Sequence, residues 1–193
     1  IWSPLFEIEV PGLPRGWNGA RLALISDLQL GLWEENEAVA AAAIQHAVRQ
    51  NPDAILLLGD YVAVGDDTAA LARVLAPLRG RNAVAILGDR DVRTDSLAER
   101  ISETLREAGV HVLRNSSITL QRNGDPLPIA GLDPKIVNRG WEEQRYIVAS
   151  LTPPESTPIL MTHQAPLVTR SSQGRYPVVV AGNTFCGDVE VPG

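Results

Sequence analysis

Cysteine is almost missing from this chain. Cys186 stands alone, so no internal disulfide can form and an oxidising compartment offers the fold nothing. That permits the cytoplasm without pointing to it. No run of Lys and Arg occurs, and a net charge of −6 with a pI near 5.1 opposes the basic face that nucleic-acid binding needs. Long apolar runs are absent too. The longest, residues 38–44, is mostly alanine and far too short to cross a bilayer. There is no Gly-x-Ser-x-Gly elbow, no phosphate-binding P-loop, no Gly-x-Gly-x-x-Gly and no Cys-x-x-Cys. These absences set aside serine hydrolases, nucleotide-triphosphate motors, dinucleotide oxidoreductases and zinc ribbons.

What is present reads as an ordinary globular chain. Its 193 residues, 45% hydrophobic and 21% charged, suffice for one core and are too few for two comfortable ones. The expectation is a single domain over residues 1–193. The first residue is Ile rather than Met, so truncation at one or both ends is part of that expectation.

Strand-like and helix-like segments alternate. Residues 21–26 (RLALIS) form a short apolar strand, and residues 35–50 an alanine-rich helix stopped by Asn51-Pro52. The unbroken apolar run at 54–58 (AILLL) predicts a strand buried on both faces. Asp66-Asp67-Thr68 offers N-cap chemistry for a helix reaching Leu78. A strand at 84–87 and a helix at 95–108 closed by Gly109 follow. Beyond Val110 the pattern changes. Asn123-Gly124 between residues 117–121 and 127–132 predicts a hairpin with a type I′ turn. A helix at 141–150, a proline-rich connector at 152–158, and strands at 159–162 and 176–181 complete the chain. The first half thus reads as β-α-β-α-β-α and the whole as an α/β fold, two sheets face to face with helices outside.

Five strands end at polar residues: Asp27, Gly59-Asp60, Gly88-Asp89, His163 and Gly182-Asn183. In open α/β folds, ligands bind beyond the carboxyl ends of strands, and a glycine there permits a sharp turn. One such Gly-Asp is an ordinary turn. Five in one register of the fold call for a common cause. Three carboxylates in one crevice would repel and lose hydration unless a cation, nearby Arg side chains or protonation relieved them. Oxygen donors with one imidazole suit a hard divalent ion such as Mn, Mg or Fe.

On these residues the chain resembles the calcineurin-like metallophosphoesterases. Asp27-Leu28-Gln29, Gly59-Asp60-Tyr61-Val62, Gly88-Asp89-Arg90-Asp91, Thr162-His163-Gln164-Ala165-Pro166 and Gly182-Asn183-Thr184-Phe185 look like that family's five ordered motifs. The tail from Gly187 to Gly193 resembles its membrane-associated branch. The resemblance implies a four-layer α/β sandwich with two mixed sheets. It also implies two metal ions about 3.5 to 4 Å apart clamping a phosphate.

Carried over position by position, the resemblance implies a site about half rewritten. Asp27 matches a ligand of the first metal and Asp60 the bridging carboxylate. Gln29 stands where a ligand His is expected and is a weak donor. Asp89 stands for an Asn ligand, His163 matches a ligand of the second metal, and Asn183 replaces a ligand His with an oxygen donor. Phe185 replaces another ligand His and cannot ligate. Arg90 stands where the family has the His that helps the leaving group, and Asp91 matches that residue's carboxylate partner, so these two carry any catalytic role. The first metal is therefore expected to be lost or very weak. The second keeps a donor at each place: Asp60, Asp89, His163 and Asn183. One divalent metal (Mn, Fe, Mg or Zn) or none is expected, with Arg90 between Asp89 and Asp91 as the substitute charge.

Two functions follow. One is a degenerate module with weak or no hydrolase activity, retained for binding or structure, as within a larger protein assembly. The other is a phosphoesterase working with one divalent metal on a phosphate-containing small molecule. No nucleic acid is expected as partner. Proximity to a membrane, through a tether outside this chain, is implied by the resemblance alone; Ile1 to Pro14 reads as an extended lead-in strand. His46 and His111 read as surface or packing residues, and Cys186 as an inert buried thiol.

Overall fold

A computed structural model describes residues 3–65, 68–151, 156, 158–164, 175–183 and 188–190. Its first sheet contains β1 (Leu22–Ile25), β2 (Ala54–Leu57), β3 (Ala83–Ala85) and β4 (His111–Val112), parallel and in sequence order. The crossovers run through α1 (Asn36–Arg49), α2 (Ala69–Leu75) with a 3₁₀ turn at Ala76–Leu78, and α3 (Asp95–Glu107). The second sheet is mixed. β5 (Ser116–Arg122) and β6 (Asp125–Gly131) form a hairpin, β7 (Ile159–Thr162) and β8 (Val178–Ala181) continue parallel to β6, and β9 (Asp188–Glu190) closes the edge antiparallel. The helix α4 (Trp141–Ser150) joins β6 to β7 after a 3₁₀ turn at Pro134–Asn138.

Burial explains the layering. Along β2, Ile55 and Leu57 face the helices α1, α2 and α3, while Ala54 and Leu56 face the second sheet. Both faces are covered, so the run has no polar alternation. Between the sheets lie Leu56, Leu58, Val84, Ile86, Ile129, Met161, Val178 and Val180. Outside the second sheet, Leu160 and Val179 pack on Val148 and Leu151 at α4. Helices, sheet, sheet and helix therefore make four layers.

The sandwich expected from sequence is present, with local differences. The first sheet is parallel throughout rather than mixed. Asn123 and Gly124 both take positive φ, 53° and 86°, as a type I′ turn requires. Thr94 caps α3 by accepting from the Leu97 amide at 3.1 Å. The cap expected at Thr68 makes no side-chain bond, and Asp66 and Asp67 lie outside the described residues. Residues 3–10 form no strand, so the expected lead-in strand is not seen where it is described. β9 was not foreseen, because three residues beside a glycine carry too little pattern.

Candidate metal centre

Parallel strands bring their carboxyl ends to one edge, and the loops after β1 and β2 stay zipped together past the sheet. Asp27 donates its amide to the Gly59 carbonyl at 3.0 Å, Gln29 to Asp60 at 2.9 Å and Leu30 to Tyr61 at 2.8 Å. This pairing holds Asp27, Gln29 and Asp60 in the left-handed region, at φ of 58°, 45° and 58°. Asn183, after β8, is at 39°. Non-glycine residues take that conformation at a cost, and such residues concentrate at functional sites. The loops also approach too closely for side chains. A Cβ on Gly88 would lie 2.2 Å from Asp60 Oδ1, and one on Gly182 would lie 2.8 Å from His163 Nδ1.

Ligand atoms of Asp27, Asp60 and His163 all lie within 4.8 Å of one another. Asp60 and His163 are buried, Asp27 partly so. His163 Nδ1 sits 2.7 Å from the Leu58 carbonyl oxygen. A carbonyl only accepts, so Nδ1 carries a proton, and Nε2 is the nitrogen that faces inward, offering a lone pair when the ring is neutral. Nε2 is 3.4 Å from Asp60 Oδ1, at ion-pair distance, yet among the described residues it has no aligned hydrogen-bond partner. An imidazole anchored through one nitrogen to a backbone carbonyl, with the other buried and directed at two carboxylates, is the arrangement of a metal ligand. Two carboxylates and one imidazole fit a divalent cation.

The other expected residues are placed as follows. Gln29 donates from Nε2 to Asp27 Oδ1 at 3.2 Å. Asp89 stays outside the three-residue cluster, and Gln164 Nε2 donates to its Oδ2 at 2.6 Å. Asn183 is exposed, and Phe185 and Cys186 lie outside the described residues. Arg90 does not sit between Asp89 and Asp91. Its amide donates to Asp60 Oδ1 at 2.9 Å and its Nε lies 3.3 Å from Asp60 Oδ2, with the side chain 45% exposed. Asp91 is fully buried and turned away from solvent. Its Oδ2 accepts from Asp60 and Gly88 amides at 2.8 Å each, and its Oδ1 from Tyr61 at 2.9 Å and Val62 at 3.4 Å. The gathered three therefore cut across the two ligand sets sorted from sequence, drawing Asp27 from one and His163 from the other. Gln164 and the Leu58 carbonyl were not anticipated. Gln164 adjoins His163 in the motif, but nothing in the sequence reveals which loop its amide reaches.

Charge follows this geometry. Burial alone would depress His163, but Asp60, the Leu58 carbonyl and the charge of Asp89 outweigh it and raise the imidazole to about 9. Burial pushes Asp60 up, while His163 and Arg90 overcome it and leave its carboxyl below the usual range. Burial raises Asp91 to about 6, opposed by the amide of Gly88 and assisted by the charge of Asp60.

Residues 20–183 match the model of the calcineurin-like phosphoesterase family. The chain belongs to that family. A zebrafish (Danio rerio) transmembrane protein with metallophosphoesterase domain is 27% identical over 95% of this chain, which spans 44% of that protein's length. The crystal structure of TT1561 of Thermus thermophilus shares the fold, with a TM-score of 0.65 at 13% identity, covering 84% of this chain and 81% of that one. Calcineurin-like phosphoesterases bind divalent metals, and the Asp27, Asp60 and His163 cluster is this member's candidate site. Among the described residues, no helix is long and apolar enough to cross a membrane.

Proposed function

We propose that this domain binds one divalent cation through Asp27, Asp60 and His163 and acts on a phosphate ester, with slow hydrolysis. The observation that carries this reading is His163: Nδ1 is fixed on the Leu58 carbonyl, and Nε2 is buried 3.4 Å from Asp60 with no aligned hydrogen-bond partner among the described residues. A bound divalent ion would supply Lewis-acid charge to a phosphoryl oxygen. Arg90, half exposed at the rim, adds a second positive charge beside Asp60 and suits the recognition of phosphate. Its guanidinium stays protonated, so it cannot hand a proton to a leaving group. Asp91 faces backbone amides and cannot do so either. Missing general-acid assistance costs roughly 10² to 10⁴ in rate, which supports weak turnover.

Metal analysis of the purified protein tests the reading. Stoichiometric Mn, Fe, Mg or Zn that is lost on His163→Ala is expected; protein free of metal after incubation with Mn²⁺ rules it out. A phosphodiester assay with added Mn²⁺ should show slow release that Asp60→Ala abolishes.

A second reading, a silent binding or structural module, is favoured by the contact of Arg90 with Asp60. There, guanidinium and imidazolium would neutralise the carboxylates without a metal. Turnover well above background that disappears in Asp60→Ala would be fatal to it. A larger assembly and a nearby membrane remain parts of the proposal, the second supported by the zebrafish relative being a transmembrane protein.

A further inference from the structure

We infer that Asp91 is a positioning residue, whose buried carboxylate sets the place of Asp60 without meeting substrate. The inference rests on the proposed metal reading for its affinity arm only. Asp91 has no exposure to solvent, and among the described residues both of its carboxylate oxygens accept from backbone amides. It accepts from amides on two different loops: Gly88 after β3, and Asp60, Tyr61 and Val62 after β2.

The consequence falls on Asp60. Its backbone is held at a φ of 58°, a conformation an aspartate abandons when released, and its own amide is one of those bound by Asp91. The same carboxylate oxygen also binds Gly88, whose Cα lies so near that an added Cβ would sit 2.2 Å from Asp60 Oδ1. Asp91 thus ties both loops to one carboxylate and fixes the backbone from which Asp60 reaches His163. Neutral replacement is informative because geometry can survive while acceptors are lost. The D91N amide can satisfy the amides at one oxygen only, and its NH₂ group then faces donors that need an acceptor.

The test compares wild type, D91N and D133N by Mn²⁺ titration calorimetry, thermal melting, and amide hydrogen exchange of the metal-free proteins. Asp133 is a buried carboxylate outside the site, bound by Arg114 at 2.7 Å, and controls for general loss of stability. Loss of a supporting partner behind a metal ligand lowers affinity by about 10- to 100-fold, and we expect D91N to fall in that range. D133N should melt lower yet keep wild-type affinity. D91N should also lose slow exchange at Asp60, Tyr61 and Gly88 together. The inference is overturned if folded D91N binds Mn²⁺ like wild type, or if D133N weakens binding equally at a matched melting temperature. Should wild type take up no Mn²⁺, the metal reading fails, and the exchange pattern still decides the role of Asp91. Should D91N not fold, native-state exchange of wild type decides: these three amides opening as one unit supports the inference, and opening independently overturns it.

Discussion

His163 shows how one side chain couples chemistry to stability. Its pKa in the fold, about 9, lies above its ordinary 6.5. The folded state therefore binds the proton more tightly, and the stabilisation is complete below pH 6.5 and lost as pH rises toward 9. In chelator-treated protein, the melting temperature should decline across that window, and His163→Ala should flatten the decline; equal slopes in both would refute the pairing with Asp60. On the acid side the sign reverses. Asp60 is held below its usual value, so its contribution is present above 3.8 and fades as pH falls through the lowered value. At this scale the sequence named Asp27, Asp60 and His163 through their positions after strands. It could not name the partner of Arg90, because both Asp89 and Asp91 stand beside it in sequence and only folding brings Asp60 nearer.

At the scale of elements, the loops between strands and helices carry the strain. Gly59 (φ 96°) packs against the Gly88 backbone, with an added Cβ meeting Gly88 N at 2.5 Å, whereas a Cβ on Gly65 (φ 74°) meets nothing within 4 Å among the described residues. Gly65→Ala should cost about 1–2 kcal/mol from left-handed strain alone. Gly59→Ala should add about 1–3 kcal/mol of overpacking to that strain. Urea denaturation separates the two, and indistinguishable midpoints would mean that the loop junction yields easily. Helix α3 gives a simpler case. Removing its cap with Thr94→Ala should cost about 1 kcal/mol by the same measurement.

The whole molecule depends on the layer between its sheets. Leu56 is fully buried there, on the central face of β2, while Leu24 on edge strand β1 is 38% exposed. Leu56→Ala should destabilise by about 2–5 kcal/mol. Leu24→Ala should cost clearly less, because little new cavity forms at a half-open edge. Similar thermal shifts for the two would contradict the described packing. The elements on both sides of that layer are legible in the sequence, since β2 reads as an unbroken apolar run, β7 as a strand and α3 as a helix closed by Gly109. The short β9 and the 3₁₀ turns were not, because each has too few residues for a period to show.

From the residues alone came the alternation of elements, the sandwich, the family resemblance and the set of polar residues after the strands. These are local properties, since apolar periodicity, caps and turn dipeptides act over a few neighbours. Tertiary structure decided which of those polar residues meet. Asp27, Asp60 and His163 converge, Asp89 accepts from Gln164 outside that group, and Asp91 turns inward to four backbone amides. The reason is physical: meeting depends on loop paths set by close glycine contacts and left-handed backbone, and these arise from packing two sheets that are distant in sequence.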